Sequence, residues 1–269
     1  MGDPQPIVRR MACYDFPWDI TRSLELALFR TFASPRIGAL LHATGEFERR
    51  PQKRYDDTDL IVSAIVEHGY DSELGSRAIA HMNAIHGRFG IANEDFLYVL
   101  STFVFEPLRW IERFGWRKPS LEEKQGWFEF WREVGRRMAI RELPESYADF
   151  ERYNLEYEAA QFRYTEASRH VGTATRELFG SWFPSFLRPL VRASIHALLD
   201  ARLRQAFGFS TPTPGYVRAV DAAMRLRARI LRWLPKRITP RMRTEMRHRS
   251  YPKGWRLEEL GPLGKKGVD

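Results

Sequence analysis

Ser120-Leu-Glu-Glu-Lys-Gln-Gly-Trp-Phe-Glu-Phe-Trp-Arg-Glu-Val-Gly-Arg-Arg-Met138 is the stretch on which the fold turns. Trp127, Phe130, Trp131, Val134 and Met138 recur at the spacing of one helix face, while Arg132, Glu133, Arg136 and Arg137 fall elsewhere. Ser120 supplies a capping hydroxyl, and Glu122 and Glu123 put negative charge at the positive end of the helix. The same period runs through Leu60, Ile61, Ala64, Ile65 and His68, and Gly69 stops it. No convincing period-2 strand, internal repeat or low-complexity tract accompanies these patterns. The expected fold class is therefore all-α: a single large multi-helix bundle with globin-like packing logic rather than a simple four-helix bundle.

Working outward, the periodicity predicts helices over about 19–33, 36–43, 55–68, 72–87, 93–114, 120–138, 146–160, 163–179, 186–207, 214–233 and 240–249, each end uncertain by roughly 2–4 residues. Pro35, Gly69, Gly90, Gly115, Pro119, Pro144, Gly180, Pro184, Gly208, Pro212, Pro214 and Pro235 separate them. The connections are short, which favours one bundle over two tethered units. The expected organisation is an N-terminal arm over 1–18, a helical domain over 19–224 and a basic C-terminal helix and tail over 225–269. The 269 residues, 43% apolar and 13% aromatic, suffice for a substantial core, so disorder is expected only at the ends.

Charge is placed unevenly. Residues 225–269 hold 14 Lys plus Arg against 4 Asp plus Glu, a net +10, which leaves the other residues at −1 within the total of +9. Such a segment suits an anionic membrane surface or nucleic acid, or stays solvated. No nucleic-acid reading motif accompanies it, so no specific nucleic acid is expected. Arg225, Arg229 and Arg232 share one side of the last long helix and Ala223, Leu226, Ile230, Trp233 and Leu234 most of the other, with Arg227 inside the apolar arc. That pattern fits an interfacial helix or one docked on the body. The longest uncharged apolar stretch ends at Glu106-Pro107, short of the roughly 18 to 20 residues a spanning helix needs. The first residues, with Asp3, Pro4, Pro6 and Arg9-Arg10, do not read as a secretory signal. A single cysteine, Cys13, forms no internal disulfide and cannot supply a covalent haem attachment. The expected location is the cytoplasm, with peripheral membrane contact compatible.

Seven histidines invite a metal reading: His42, His68, His81, His86, His170, His196 and His248. His81 and His86 are five apart, about 140° around a helix, so they do not share a metal easily. The one Glu-x-x-His, Glu245 to His248, lies in the basic tail, where a di-iron bundle wants two such motifs and further glutamates. No phosphate loop, nucleophile elbow or paired-cysteine zinc pattern occurs.

Three stretches then align with one family: Arg54-Tyr-Asp-Asp-Thr58, Met82-Asn-Ala-Ile-His86-Gly-Arg-Phe-Gly-Ile91, and Asn93-Glu-Asp-Phe-Leu-Tyr-Val-Leu-Ser-Thr-Phe-Val-Phe-Glu-Pro107. Gly115-Trp-Arg117, Phe130-Trp-Arg132 and Val134-Gly-Arg136 continue the likeness. Over about Phe16 to Tyr157 the chain resembles the latex-clearing rubber oxygenases and the fungal MpaB-type oxygenases. The resemblance implies an all-helical fold, a non-covalent haem b with its iron, and dioxygen-dependent oxidation of an alkene in an isoprenoid-like or other apolar substrate. His86 is the residue that matches the proximal iron ligand, with His81 as fallback. Arg54 and Thr58 match the distal motif, where rubber oxygenases carry a lysine at the place of Asp57. A lysine donates a hydrogen bond, whereas an ionised aspartate only accepts. Asp57 is thus either a proton acceptor partnered by Arg54 or half of a surface ion pair. For Glu46 two readings stand: the match to an acidic residue near this motif in the rubber oxygenases, or a solvated glutamate. Asn83 and Arg88 lie near His86, and Arg88 suits a haem propionate or stays exposed. The competing functions are a non-catalytic helical binding or membrane-surface protein and a haem sensor on the same scaffold.

Overall fold

The computed structural model describes residues 2–262. Thirteen α-helices occur among them, and no strand. They are α1 (Gln5–Arg10), α2 (Pro17–Ala33), α3 (Pro35–Thr44), α4 (Glu46–Arg49), α5 (Pro51–His68), α6 (Glu73–His86), α7 (Asn93–Phe114), α8 (Leu121–Arg137), α9 (Tyr147–Gln161), α10 (Glu166–Ser181), α11 (Arg188–Leu198), α12 (Ala201–Phe207) and α13 (Pro214–Trp233). The all-α expectation holds.

The caps explain most boundaries. Ser120 Oγ accepts from Glu123 N at 3.1 Å while the Glu123 carboxylate accepts from Ser120 N, so α8 starts on a complete capping box. Pro51 at the first turn of α5 starts that helix earlier than the apolar period alone predicts, because proline needs no amide partner there. Gly75 allows α6 to turn back on α5: a Cβ at that position would lie 1.9 Å from the Gly69 carbonyl oxygen. Two expected helices are corrected. The single helix over 186–207 divides at Leu199–Asp200, where the Asp200 carboxylate caps α12 by accepting from Leu203 N. Residues 240–249 are not helical. Glu67 accepts from Thr244 N and from Arg243 N, and Asp56 from Ser250 N, so carboxylates of α5 satisfy amides that a helix would otherwise pair internally.

A main core joins α2, α5, α6, α7 and α8 through Ile20, Leu60, Ile65, Ile79, Val104, Phe105, Trp127 and Phe130. A second, between α2, α10 and α12, contains Phe29, Phe32, Phe179 and Phe207. The N-terminal residues belong to this body: α1 runs into a π-helical turn over Met11–Asp15, and Val8, Met11 and Phe16 are buried. Position 225 falls inside α13, after which the chain returns along α5 as a strap. Leu257 and Leu260 of that strap are buried in the main core.

Candidate functional site

The site is built on α5. Arg54 and Thr58, one turn apart, share a face, and Arg54 Nη1 donates to Thr58 Oγ1. The Arg54 guanidinium stacks over the Phe47 ring at 5.3 Å and has no carboxylate salt bridge among the described residues. Burial lowers its pKa, against the opposing charges of Asp57 and Glu46. An arginine without a committed anion inside a fold is a charge in search of a partner.

His86 ends α6 and lies close enough to Arg54 to feel its charge. Burial first, and the Arg54 charge second, push the imidazole pKa down to about 4. The ring packs edge-on to Phe96 at 5.3 Å between centroids, and Nδ1 is buried with no hydrogen-bond partner. At neutral pH this is an uncharged imidazole with one buried ring nitrogen left without a partner. A consequence can be checked directly. A folded pKa below the unfolded 6.5 means the ring's contribution to stability is intact above pH 6.5 and is lost as pH falls toward 4. His86→Gln should therefore gain stability relative to wild type in urea titrations at pH 4.5 compared with pH 7.5. A pH-independent difference would refute the buried neutral ring.

The other expected residues turn elsewhere. Asp57, 3% exposed, accepts from Lys53 Nζ at 2.8 Å, from Gly261 N at 3.0 Å and from the Tyr251 hydroxyl, so its carboxylate is committed to the strap. Glu46 is buried and paired with Arg50. Asn83 donates to the Arg137 carbonyl at 2.9 Å and ties α6 to α8. Arg88 is exposed, with no ion pair among the described residues. His81 Nε2 meets the Leu260 carbonyl at 2.9 Å. The structure thus joins Arg54 to Thr58 and leaves His86, Asp57 and Glu46 near enough to exchange charge effects with Arg54, but commits Asp57 to the strap and Glu46 to Arg50 and turns Asn83 and Arg88 elsewhere. No cluster of three or more His, Cys, Asp or Glu suited to a metal occurs among the described residues.

A cleft between α2 and α5 reaches Thr58 and holds about 880 Å³ of atom-free space, its open mouth included. Leu24, Leu28, Val62, Val66 and Phe103 make its wall apolar; His86 does not line it. Glu25 in this wall accepts from the Tyr55 hydroxyl at 2.7 Å and pairs with Arg22 at 2.8 Å. Burial raises its pKa to about 7, against the lowering effect of Arg22 and Tyr55. Sequence reasoning missed Glu25, although a carboxylate inside Ser23-Leu-Glu-Leu-Ala-Leu-Phe29 is a signal: a charge in an apolar run is either surface or paired.

Residues 23–233 match the model of a family described as ER-bound oxygenase mpaB/B'/rubber oxygenase, catalytic domain. The chain is 28% identical over 246 residues to the ER-bound oxygenase mpaB' of Penicillium brevicompactum, which covers 85% of this chain and 58% of that protein. It is 34% identical over 140 residues to the ER-bound oxygenase mpaB of the same fungus, covering 50% of this chain and 36% of that one. The mpaB of Penicillium roqueforti (strain FM164) is 26% identical over 218 residues, 74% of this chain and 73% of the relative. The chain thus spans little more than half the length of the first of these relatives.

Proposed function

Since the chain belongs to the family of ER-bound oxygenase mpaB/B' and rubber oxygenase catalytic domains, we propose that it is a haem-dependent oxygenase acting with dioxygen on an alkene of an isoprenoid-like or other apolar substrate. The observation that carries this reading is His86: a partly buried, neutral imidazole with a buried, orphaned Nδ1, near an arginine that has no ion pair of its own among the described residues. Those residues fit haem: His86 would hold the iron and Arg54 would offer hydrogen-bond donors beside it. Haem b, when bound, would supply the oxygen activation. The chain's own part is positional and electrostatic. His86 offers the iron ligand, and Asn83 fixes the α6 turn that carries it through the Arg137 carbonyl. Arg54 presents its guanidinium donors on one face of α5, beside Thr58, whose own hydroxyl donates to the Arg54 carbonyl at 3.0 Å, and Arg88 has the planar fork for a propionate. Asp57 and Glu46 act at one remove: by holding Lys53, Tyr251, Gly261 and Arg50 they fix α5, and they leave hydrogen-bond donation to Arg54. In this reading residues 19–224 form the oxygenase unit and 225–269 the basic C-terminal segment. The visible spectrum of the purified protein, with and without dithionite, should show a Soret band that shifts on reduction; a colourless protein that takes up no added haem defeats the proposal.

Peripheral membrane contact by a cytoplasmic protein is a second part of the reading, supported by α13. No helix among the described residues is long and apolar enough to cross a membrane. Yet Leu226, Ile230 and Trp233, at spacings of four and three, line up outward at 56%, 53% and 88% exposure, beside Arg225, Arg229 and Arg232. Sedimentation with phosphatidylserine-containing vesicles should carry the protein down, and Trp233→Glu should cut binding roughly tenfold or more, since a charge replaces an interfacial aromatic. Vesicle binding unchanged by Trp233→Glu would exclude α13 as the contact.

A further inference from the structure

Residues 178–199 contain no Asp or Glu, although Arg188, Arg192 and His196 lie among them. Within that span the chain leaves α10, makes a 3-10 turn over Ser185–Leu187 and enters α11. The flanks of the turn face inward. Trp182 donates from Nε1 to Gln52 Oε1 at 2.7 Å and packs against Phe179 and Tyr55, with ring centroids 4.8 and 5.0 Å away. Val191 packs on the second core. Between these anchors the large side chains turn outward: Phe183, Phe186 and Leu190 are 45%, 78% and 54% exposed. Pro184 and Pro189 fix two backbone angles on this short path, so little further ordering is needed when the turn meets a partner. Single exposed apolar residues are ordinary, but three of them around one turn make a patch. Two cations flank it. Arg188 and Arg249, the latter 6.0 Å from the Trp182 ring, are exposed and have no ion pair among the described residues. Arg192 is spent on Glu177. Arg188 opens α11, where the positive end of a helix disfavours a cation unless an anion comes to it.

We propose that the turn between α10 and α11 is a membrane-docking tip: Phe183, Phe186 and Leu190 enter the interfacial layer of an anionic bilayer, and Arg188 and Arg249 meet its headgroup phosphates. The inference rests on the reading that the protein meets a membrane, and it puts a contact on a second element besides α13. An aromatic turn with unpaired cations beside it and no carboxylate in its span complements a negative, apolar-cored surface. A second copy of the chain fits less well, because a two-fold contact through this turn would set the same cations against each other. The turn is also tied to α13: the Leu190 carbonyl accepts from the Tyr216 hydroxyl, in the first turn of that helix, at 3.2 Å.

The test places an environment-sensitive dye on Phe186→Cys in the full chain; Cys13 is buried, so the label goes to position 186. Vesicles of three parts phosphatidylcholine to one part phosphatidylserine should brighten the dye and shift its emission to the blue, and spin-labelled lipid should quench it. In the unlabelled chain Phe186→Glu should weaken vesicle sedimentation roughly tenfold or more, since a charge replaces an inserted aromatic. Phe186 is exposed, so folding is not at stake, and circular dichroism checks it. Vesicles of phosphatidylcholine alone should bind roughly tenfold more weakly, because the flanking arginines then find no net negative surface. A dye that stays silent while vesicles still carry the protein down overturns the tip and leaves α13 as the contact. A dye response that persists in Trp233→Glu keeps the tip and removes α13. Sedimentation unaffected by Phe186→Glu overturns the proposal, as does a protein that ignores vesicles but loses self-association in that variant, which would make a second copy the occupant.

Discussion

His86→Ala will yield a folded protein without a Soret band, and free imidazole added to the buffer will restore part of the absorbance. An imidazole taken out of water keeps its stability only as the neutral base, and burial beside Arg54 drives it there. A buried ring nitrogen normally finds a hydrogen-bond partner; Nδ1 of His86 has none. An iron centre is a partner of the right kind, because neutral imidazole is its ordinary axial donor. Removing the ring leaves α6 helical, since Gly87 N bonds to the Asn83 carbonyl at 2.8 Å without help from the side chain. The expected loss is therefore of pigment and not of fold, with the far-ultraviolet circular dichroism unchanged. His81→Ala is the control: that ring already meets the Leu260 carbonyl and its removal should leave the band in place. A band retained by His86→Ala and lost by His81→Ala would move the ligand to His81.

Asp57→Ala should destabilise the protein by about 3 kcal/mol, the cost of breaking a buried charge pair. For a chain of this size that lowers Tm by roughly 6–12 °C. Three donors lose their acceptor together: Lys53 Nζ, the Tyr251 hydroxyl and the Gly261 amide. Two of these belong to the strap, so the variant should also open residues 240–262 to trypsin, at Arg247, Arg249, Lys253 and Arg256. Asp57→Asn keeps an acceptor oxygen and should lose less than half as much, a split that separates hydrogen bonding from charge. Wild-type Tm and trypsin resistance in Asp57→Ala would remove the strap-anchor role.

Helix α8 was legible in full. Its aromatic period and its Ser120–Glu123 cap are local patterns, written within four residues of one another, and the fold reproduces both. The stop at Gly69 and the long α7 were legible for the same reason. The break at Asp200 was not, because capping there competes with an apolar pattern that runs straight through it. The strap was not legible at all. Residues 240–249 have helix-compatible composition, and what draws them out of a helix is Glu67 and Asp56 on a distant segment.

The site divides along the same line. From its own residues the chain announced that Arg54 and Thr58 would share a face, since four positions along a helix return to the same side. The resemblance singled out His86; that its Nδ1 is buried and unpartnered came only with the packing. What Asp57 does was open in the sequence, as its Tyr251 and Gly261 partners lie some two hundred residues away. Tertiary packing alone decided that Asp57 holds the strap and that Glu25 is buried against Tyr55. Helical period is a property of neighbours along the chain, whereas desolvation and charge pairing depend on which distant groups the folded chain brings to the same place.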